Sequence, residues 1–248
     1  TTGGLHILWQ DQSSNGRTFR AQRLDSRSGP IHVPTVDLNG DGRMDFIALI
    51  SQEHEVVEAF LNRGDHFEAV RLYAAPDPSW GSSGIELTDF DSDGDQDVLY
   101  TAGDAFDSYL IKPWHGVRLL RNEGGLKFSD QQIAALPGVH RALAADIDRD
   151  GDQDIAACAM VPARALQAQP GTPNQAVIWL EQGSDGRFQR HVISASQPQH
   201  AAMTVLDADG DGDTDIAAGC FAETKSESKF SLLLYLNAGQ PSAVAHQP

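Results

Sequence analysis

The chain has 248 residues, 40% of them hydrophobic, which is enough for a substantial core, and it has no apolar run long enough to span a membrane as a helix. Its formal net charge is −17, from 35 acidic against 18 basic residues, and no basic patch stands out, which argues against nucleic acid or an anionic membrane as partner. Two cysteines, Cys158 and Cys220, give no disulfide framework and no haem-attachment motif.

In chain order, residues 5–25 read as two strands, LHILWQ and RTFRAQRLD, joined by an Asn-Gly turn. An acidic loop, DLNGDGRMD, follows from Asp37 to Asp45 and runs into the apolar FIALI. Then come AFLNRGDHF, a second acidic loop DFDSDGDQD (Asp89 to Asp97), and an insertion at 102–116. LLRNEGGLKF precedes the third loop, DIDRDGDQD (Asp146 to Asp154), and a second insertion fills 161–176. IWLEQGSDGRF leads to the fourth loop, DADGDGDTD (Asp207 to Asp215), and FSLLLYLNAG supplies a last strand before the tail PSAVAHQP, which shows none. The apolar segments after each loop lack a helical stripe and are predicted as buried strands.

The four loops share one grammar. Positions 1, 3, 5 and 9 are Asp or Asn, and position 6 is Gly (Gly42, Gly94, Gly151, Gly212). Oxygens at alternating positions around a glycine turn converge on one hard cation, and Ca²⁺ accepts a flexible oxygen cage at about 2.3–2.6 Å. The expected ligands are Asp37, Asn39, Asp41 and Asp45; Asp89, Asp91, Asp93 and Asp97; Asp146, Asp148, Asp150 and Asp154; and Asp207, Asp209, Asp211 and Asp215. Position 7 (Arg43, Asp95, Asp152, Asp213) is expected to contribute only its backbone carbonyl. An EF-hand is excluded, because position 12 holds Ala48, Tyr100, Ala157 and Ala218 instead of Glu. The ninth-position carboxylate is therefore expected to close the cage, bidentately. About four Ca²⁺ are expected, one per loop; 18 of the 35 acidic residues lie in the loops, so the ions would leave a net charge of −17 + 8 = −9. Asn39 predicts that the first loop binds most weakly. The alternative for acidic Gly-rich loops is a solvated turn.

The loops start at 37, 89, 146 and 207, and each repeat closes with a Phe after a Gly turn: Phe19, Phe67, Phe128, Phe188. Strand, acidic loop, strand, variable connection, strand, tight turn and strand make four strands per unit, the pattern of a β-propeller blade. The predicted fold is all-β: a partial blade at 5–25, blades at about 31–75, 84–135 and 139–194, and a partial blade at 199–240, as one continuous repeat array. The segments LTDFDSDGDQDVL, LAADIDRDGDQDIAA and VLDADGDGDTDIAA resemble FG-GAP repeats, also described as VCBS repeats, of integrin α-subunit heads and many secreted bacterial proteins. LIKPWHGVRLLRNEGG and GVHRALAADIDRDGDQDIAA look more like the bacterial branch. The resemblance covers about residues 5 to 240 and implies a structural calcium beside each blade's first hairpin. It also implies about seven blades, so four to five read as a fragment or open arc of a larger propeller. Filled calcium sites of this kind and a start of Thr-Thr-Gly-Gly suit a processed or truncated extracytoplasmic protein: secreted, periplasmic or on the cell surface.

Blade length varies almost entirely at the two insertions, which fall on the face opposite the acidic loops and gather large side chains where binding usually resides. Phe106, Tyr109, Trp114 and Trp80, with His115 beside them, suit stacking on a glycan or a protein partner; packing of these loops onto their own blade is the alternative. Arg149, at position 4 of the third loop, is expected exposed on the opposite face. The expected function is a non-catalytic interaction module binding protein or glycan, or a scaffold subunit of a larger assembly, with cell adhesion among the roles such a module serves. The alternative is a polysaccharide lyase or hydrolase, which needs His32, His140 and an Arg such as Arg141 in one pocket at the channel mouth. No nucleophile elbow, phosphate-binding loop or HExxH motif supports catalysis.

Overall fold

The computed structural model describes residues 3–221, except 12 and 14, and residues 232–239. The expected start of the last strand at Phe230, and the tail from 240 onward, lie outside the described residues. The chain is all-β and folds into successive antiparallel sheets, as a propeller's blades do. A two-stranded hairpin comes first, β1 (Leu5–Gln10) with β2 (Phe19–Asp25). The next sheet has a broken first strand, β3 (Pro30–His32) and β4 (Thr35–Val36), then β5 (Asp45–Ile50), β6 (Val56–Asn62) and β7 (Phe67–Ala74). Two regular four-stranded sheets follow: β8 (Ser82–Thr88), β9 (Asp97–Ala102), β10 (Gly116–Asn122) and β11 (Phe128–Ala135), then β12 (Val139–Ala145), β13 (Asp154–Ala159), β14 (Val177–Gln182) and β15 (Phe188–Ser194). The last sheet holds β16 (His200–Leu206), β17 (Asp215–Cys220) and β18 (Leu232–Tyr235). One short helix, α1 (Ala163–Ala168), lies in the second insertion.

Stacking explains the strand compositions. β5, β9 and β13 are buried at every residue, because each lies in the middle of a blade with a neighbouring sheet on either face. That is why their sequences run apolar without alternating. The outermost strands β7, β11 and β15 are exposed or half-buried at nearly every residue and carry charge along their free edges, which discourages edge-to-edge pairing.

Four apolar cores alternate with the sheets. Leu5 of the hairpin packs with Phe46 and Phe60 of the first full blade. Val57, Ala59 and Leu61 from the other face of that blade meet Val98, Tyr100 and Leu120 of the next. Val117 and Leu119 then meet Ile155, Ile178 and Leu180, and Val177 and Cys158 meet Met203, Ile216 and Ala218. Each third strand thus sends alternate residues to the blades before and after it, the period-two geometry of a strand.

Candidate functional site

Each acidic loop connects the first two strands of its blade. The glycine at position 6 has φ of 82° to 98° in all four (Gly42, Gly94, Gly151, Gly212), a conformation that L side chains rarely adopt, so glycine is required there. The position-1 carboxylate folds the loop around this turn. Asp37 accepts from the amides of Asp41 (3.1 Å) and Gly42 (2.8 Å), Asp89 from Asp93 and Gly94 (both 3.0 Å), and Asp207 from Gly210 (2.7 Å) and Gly212 (3.1 Å). Position 5 accepts from the position-7 amide in every loop, at 2.8–2.9 Å.

The ninth-position Asp has a function that spacing did not reveal. Its Oδ2 accepts the amide of loop position 2, and its Oδ1 accepts an amide at the end of the blade's third strand, from the strand's last residue in three blades and from just beyond β18 in the fourth. For Asp45 the donors are Leu38 (3.0 Å) and Asn62 (2.7 Å), and for Asp97 they are Phe90 (3.0 Å) and Asn122 (2.8 Å). For Asp154 they are Ile147 (3.2 Å) and Gln182 (2.8 Å), and for Asp215 they are Ala208 (2.8 Å) and Asn237 (2.7 Å). All four carboxylates are buried. Each pins its loop to a strand two places along the sheet and keeps one lone pair per oxygen for an ion. The signal was present in sequence, in the Asn or Gln that stands at or just past the end of each of these third strands and before a glycine turn: Asn62, Asn122, Gln182, Asn237.

The donor sets fit a hard cation. Carboxylate oxygens of Asp89, Asp91 and Asp93 lie within 4.8 Å of one another, as do those of Asp146, Asp148 and Asp150 and those of Asp207, Asp209 and Asp215. Asp146 Oδ1 is buried and takes no hydrogen bond, an acceptor left over in the middle of such a cluster. Burial raises the carboxyl pKa values of Asp97, Asp148 and Asp154, and neighbouring carboxylates, Asp91 beside Asp97 and Asp150 beside Asp148, push the same way. Crowded anions of this kind are what a divalent cation relieves. In the first loop, Arg43 Nη2 lies 2.6 Å from Asp41 Oδ2 while its Nε donates to Asn62 O, so position 7 supplies a cation of its own.

Neighbouring loops touch. Arg149 is exposed, as expected, but its Nη1 lies 2.7 Å from Asp213 Oδ1 in the fourth loop, and Thr214 Oγ1 donates to Asp146 O. Arg149 is therefore a strut between two loops and not an idle surface group.

On the opposite rim the two insertions hold each other. Gln169 Oε1 accepts from the Ile111 amide (2.6 Å) and its Nε2 donates to Ile111 O (3.0 Å), while the Arg164 guanidinium sits 4.8 Å over the Tyr109 ring. Tyr109 and Leu110 are exposed on the resulting ridge. Phe106, half-buried, meets His140 edge-on and borders a small recess of about 190 Å³ with Met160, Leu166, Pro198 and Phe221.

Of the residues expected on that surface, Trp80 and His115 are buried and Trp114 is half-buried. Trp80 is buried and stacks on half-buried Trp114 at 5.0 Å, with Trp114 Nε1 donating to Trp80 O and Arg118 above the Trp80 ring, so this pair seals the base of the first insertion. His115 is only 1% exposed and neither ring nitrogen has a partner; burial drives its pKa down to about 4, with Lys112 and His140 adding to the shift. Sequence reasoning missed Leu110 and Gln169, whose roles depend on two insertions from different blades meeting.

The first strands do bring His32 and Arg141 to one place, on either side of Ile85. His32 Nδ1 accepts the Ile85 amide (3.1 Å); Arg141 donates to Ile85 O (2.9 Å) and pairs with Glu86 (2.6 Å). His140 Nδ1 donates to Gly138 O at 2.9 Å. Burial, reinforced by the Arg141 charge, lowers the His32 pKa. The two cysteines are not disulfide-bonded to each other: Cys158 is buried, with burial pushing its pKa up to about 12, and Cys220 is half-buried, with its sulfur 3.5 Å from His200 Nδ1.

Residues 37–100, which carry the first two acidic loops and the blade between them, match a family model described as an FG-GAP-like repeat. That segment is thus similar to an FG-GAP-like repeat, and the third and fourth loops reproduce its hydrogen-bonding pattern residue for residue at the ninth-position Asp. No curated protein matches the chain. Among the described residues no helix is long and apolar enough to cross a membrane.

Proposed function

We propose that this chain is a non-catalytic, extracytoplasmic interaction module: FG-GAP-like blades, rigidified by Ca²⁺ in the acidic loops, that present the joined insertions to a protein or glycan. The observation that carries the reading is the clasp of Ile111 by Gln169, which turns two variable loops into one ridge with Tyr109 and Leu110 outward. Rigid presentation of exposed large side chains lowers the ordering cost of binding. Calcium would be held by Asp37, Asn39, Asp41 and Asp45 in the first loop and by positions 1, 3, 5 and 9 of the others, with the carbonyl of position 7. When bound it supplies charge neutralisation, and the ninth-position Asp passes that order to the third strand. We place the protein outside the cytosol because weak calcium sites of this type stay filled where calcium is near millimolar. A catalytic reading has less support, because His32 Nδ1 and the Arg141 guanidinium are both committed to the backbone of Ile85.

The test is a calcium-saturated screen of wild-type protein against arrayed glycans and extracellular proteins, repeated with Tyr109→Ala/Leu110→Ser. The expected result is a ligand whose binding the double variant weakens by more than about tenfold, as loss of central contacts does, with calcium binding unchanged. Equal binding by the double variant would refute the assignment of this surface.

A further inference from the structure

Two of the four loops offer an ion the same side chains and differ in the charge set beside them. The second loop (DFDSDGDQD) and the third (DIDRDGDQD) both carry Asp at positions 1, 3, 5, 7 and 9. The residue just before the pinning amide, last but one in the third strand, is Arg121 in β10 and Glu181 in β14. Its equivalents in the first and last blades are the uncharged Leu61 and Leu236. Arg121 Nη1 lies 3.0 Å from Asp91 Oδ2, at position 3 of its own loop. Glu181 holds the same place in its strand and so faces the same position of the third loop, Asp148. Burial and the Asp150 charge raise the Asp148 pKa, and the Glu181 charge acts in the same direction. Glu181 is held in place: its Oε2 lies 2.5 Å from His191 Nε2, whose ring stacks on Trp179 at 4.5 Å.

A second observation singles out the third loop. In the other three, Oδ1 of the position-1 Asp accepts an amide: Asp37 from Asp41, Asp89 from Asp93 and Asp207 from Gly210. In the third, the Asp150 amide goes to Asp148 Oδ1 (3.2 Å), and the buried Asp146 Oδ1 is left without a donor. A buried carboxylate oxygen with no donor is costly, and a cation beside it removes that cost. Arginines sit on ligand carboxylates in the first two loops, Arg43 on Asp41 and Arg121 on Asp91. Arg149, the one cation within the third loop, reaches away to Asp213.

We propose that the residue ahead of the pinning amide sets the order in which the loops fill. Glu181 makes the third loop the tightest calcium site, and Arg121 makes the second weaker than the third despite identical ligand residues. The inference rests on the calcium reading above and adds a ranking to it. The extra carboxylate attracts a dication, whereas Arg121 opposes it and Asp91 must break an ion pair before turning to the ion. As calcium falls, the second loop empties before the third. The blade bearing Tyr109 and Leu110 therefore loosens while its neighbour stays clamped.

The test is isothermal titration calorimetry with Ca²⁺ on residues 1–248 at about pH 8, above the ordinary histidine range. Asp150→Ala should remove the tightest step of the wild-type isotherm, and Asp93→Ala a weaker one. Should either variant be misfolded by circular dichroism, Asp150→Asn or Asp93→Asn replaces it. Glu181→Gln still accepts from His191 and should weaken the tightest step about five- to tenfold with the number of ions unchanged. Arg121→Gln should tighten the step lost in Asp93→Ala by a similar factor, the scale of one unit charge acting on a divalent ion through a water-like dielectric. Raising salt from about 0.02 M to about 0.5 M should shrink both effects, which a packing role would not show. A wild type that takes up no calcium would overturn the ranking and the calcium reading together. Calcium uptake whose tightest step survives Asp150→Ala or ignores Glu181→Gln would overturn the ranking alone. So would a second site unmoved by Arg121→Gln, or effects that persist in full at high salt.

Discussion

Lowering the pH from 7 to 5 should destabilise this protein, largely through one side chain. His115 is buried under the first insertion with both nitrogens unpartnered, and its pKa falls from 6.5 to about 4. Folded, the ring is neutral throughout that range; unfolded, it takes up a proton below pH 6.5. Stability is therefore complete above pH 6.5 and declines as pH falls toward 4. One pKa unit is worth about 1.4 kcal/mol, so at pH 5 the loss is about 2 kcal/mol, approaching about 3.4 kcal/mol near pH 4. For a chain of this size 2 kcal/mol corresponds to a fall in Tm of about 4–8 °C. The assay is urea unfolding of wild type and His115→Leu at pH 7 and pH 5 in saturating calcium. The substitution costs packing energy at both pH values, and the other histidines titrate in both proteins, so only the difference of differences matters. Wild type should lose about 2 kcal/mol more than the variant between the two pH values. Equal losses would show that His115 is accessible or partnered in solution, and the account of the insertion's base would fail with it.

Removing calcium by chelation should lower Tm markedly, since each site with free calcium at about 100 times its dissociation constant contributes about 2.7 kcal/mol; an unchanged melt after prolonged chelation would refute the metal assignment. Asp154→Ala should cost about 3–6 kcal/mol even in chelator, because two amides lose a charged acceptor, and a wild-type melt of the chelated variant would refute the pinning role. Arg43→Gln should tighten calcium binding at the first loop by calorimetry, since the guanidinium beside Asp41 competes with the ion; unchanged or weaker affinity would refute that. Arg149→Ala should weaken the fourth site by removing the strut to Asp213, and an identical four-site isotherm would refute the coupling.

The repeat could be read from sequence because its defining residues are local. A glycine needed for positive φ and oxygens at alternating positions leave a pattern that survives without any tertiary information. The central strands announced themselves for the same reason, as FIALI and IAACA are apolar on both faces. What stayed hidden depended on contacts between distant residues. The spacing showed the ninth-position Asp only as an expected ligand, and its second role, accepting the amides of Asn122 or Gln182 from 25 to 28 residues away, needed the fold. Likewise Trp80 and Trp114, 34 positions apart, read as two surface aromatics and proved to be one stacked pair. Composition cannot tell an aromatic that awaits a partner from one that already has one.

The same aspartate pin constrains how such a protein can change over evolutionary time. Its two oxygens span a fixed gap between loop position 2 and the end of the third strand, so a residue gained or lost between positions 2 and 9 would pull the carboxylate off both amides at once. An insertion inside an acidic loop thus costs the blade both of these bonds, whereas one between the second and third strands meets no such gauge. Within this chain the four acidic loops accordingly keep one length, while the connections between second and third strands differ in length from blade to blade, so new surface can be built there without disturbing the pin.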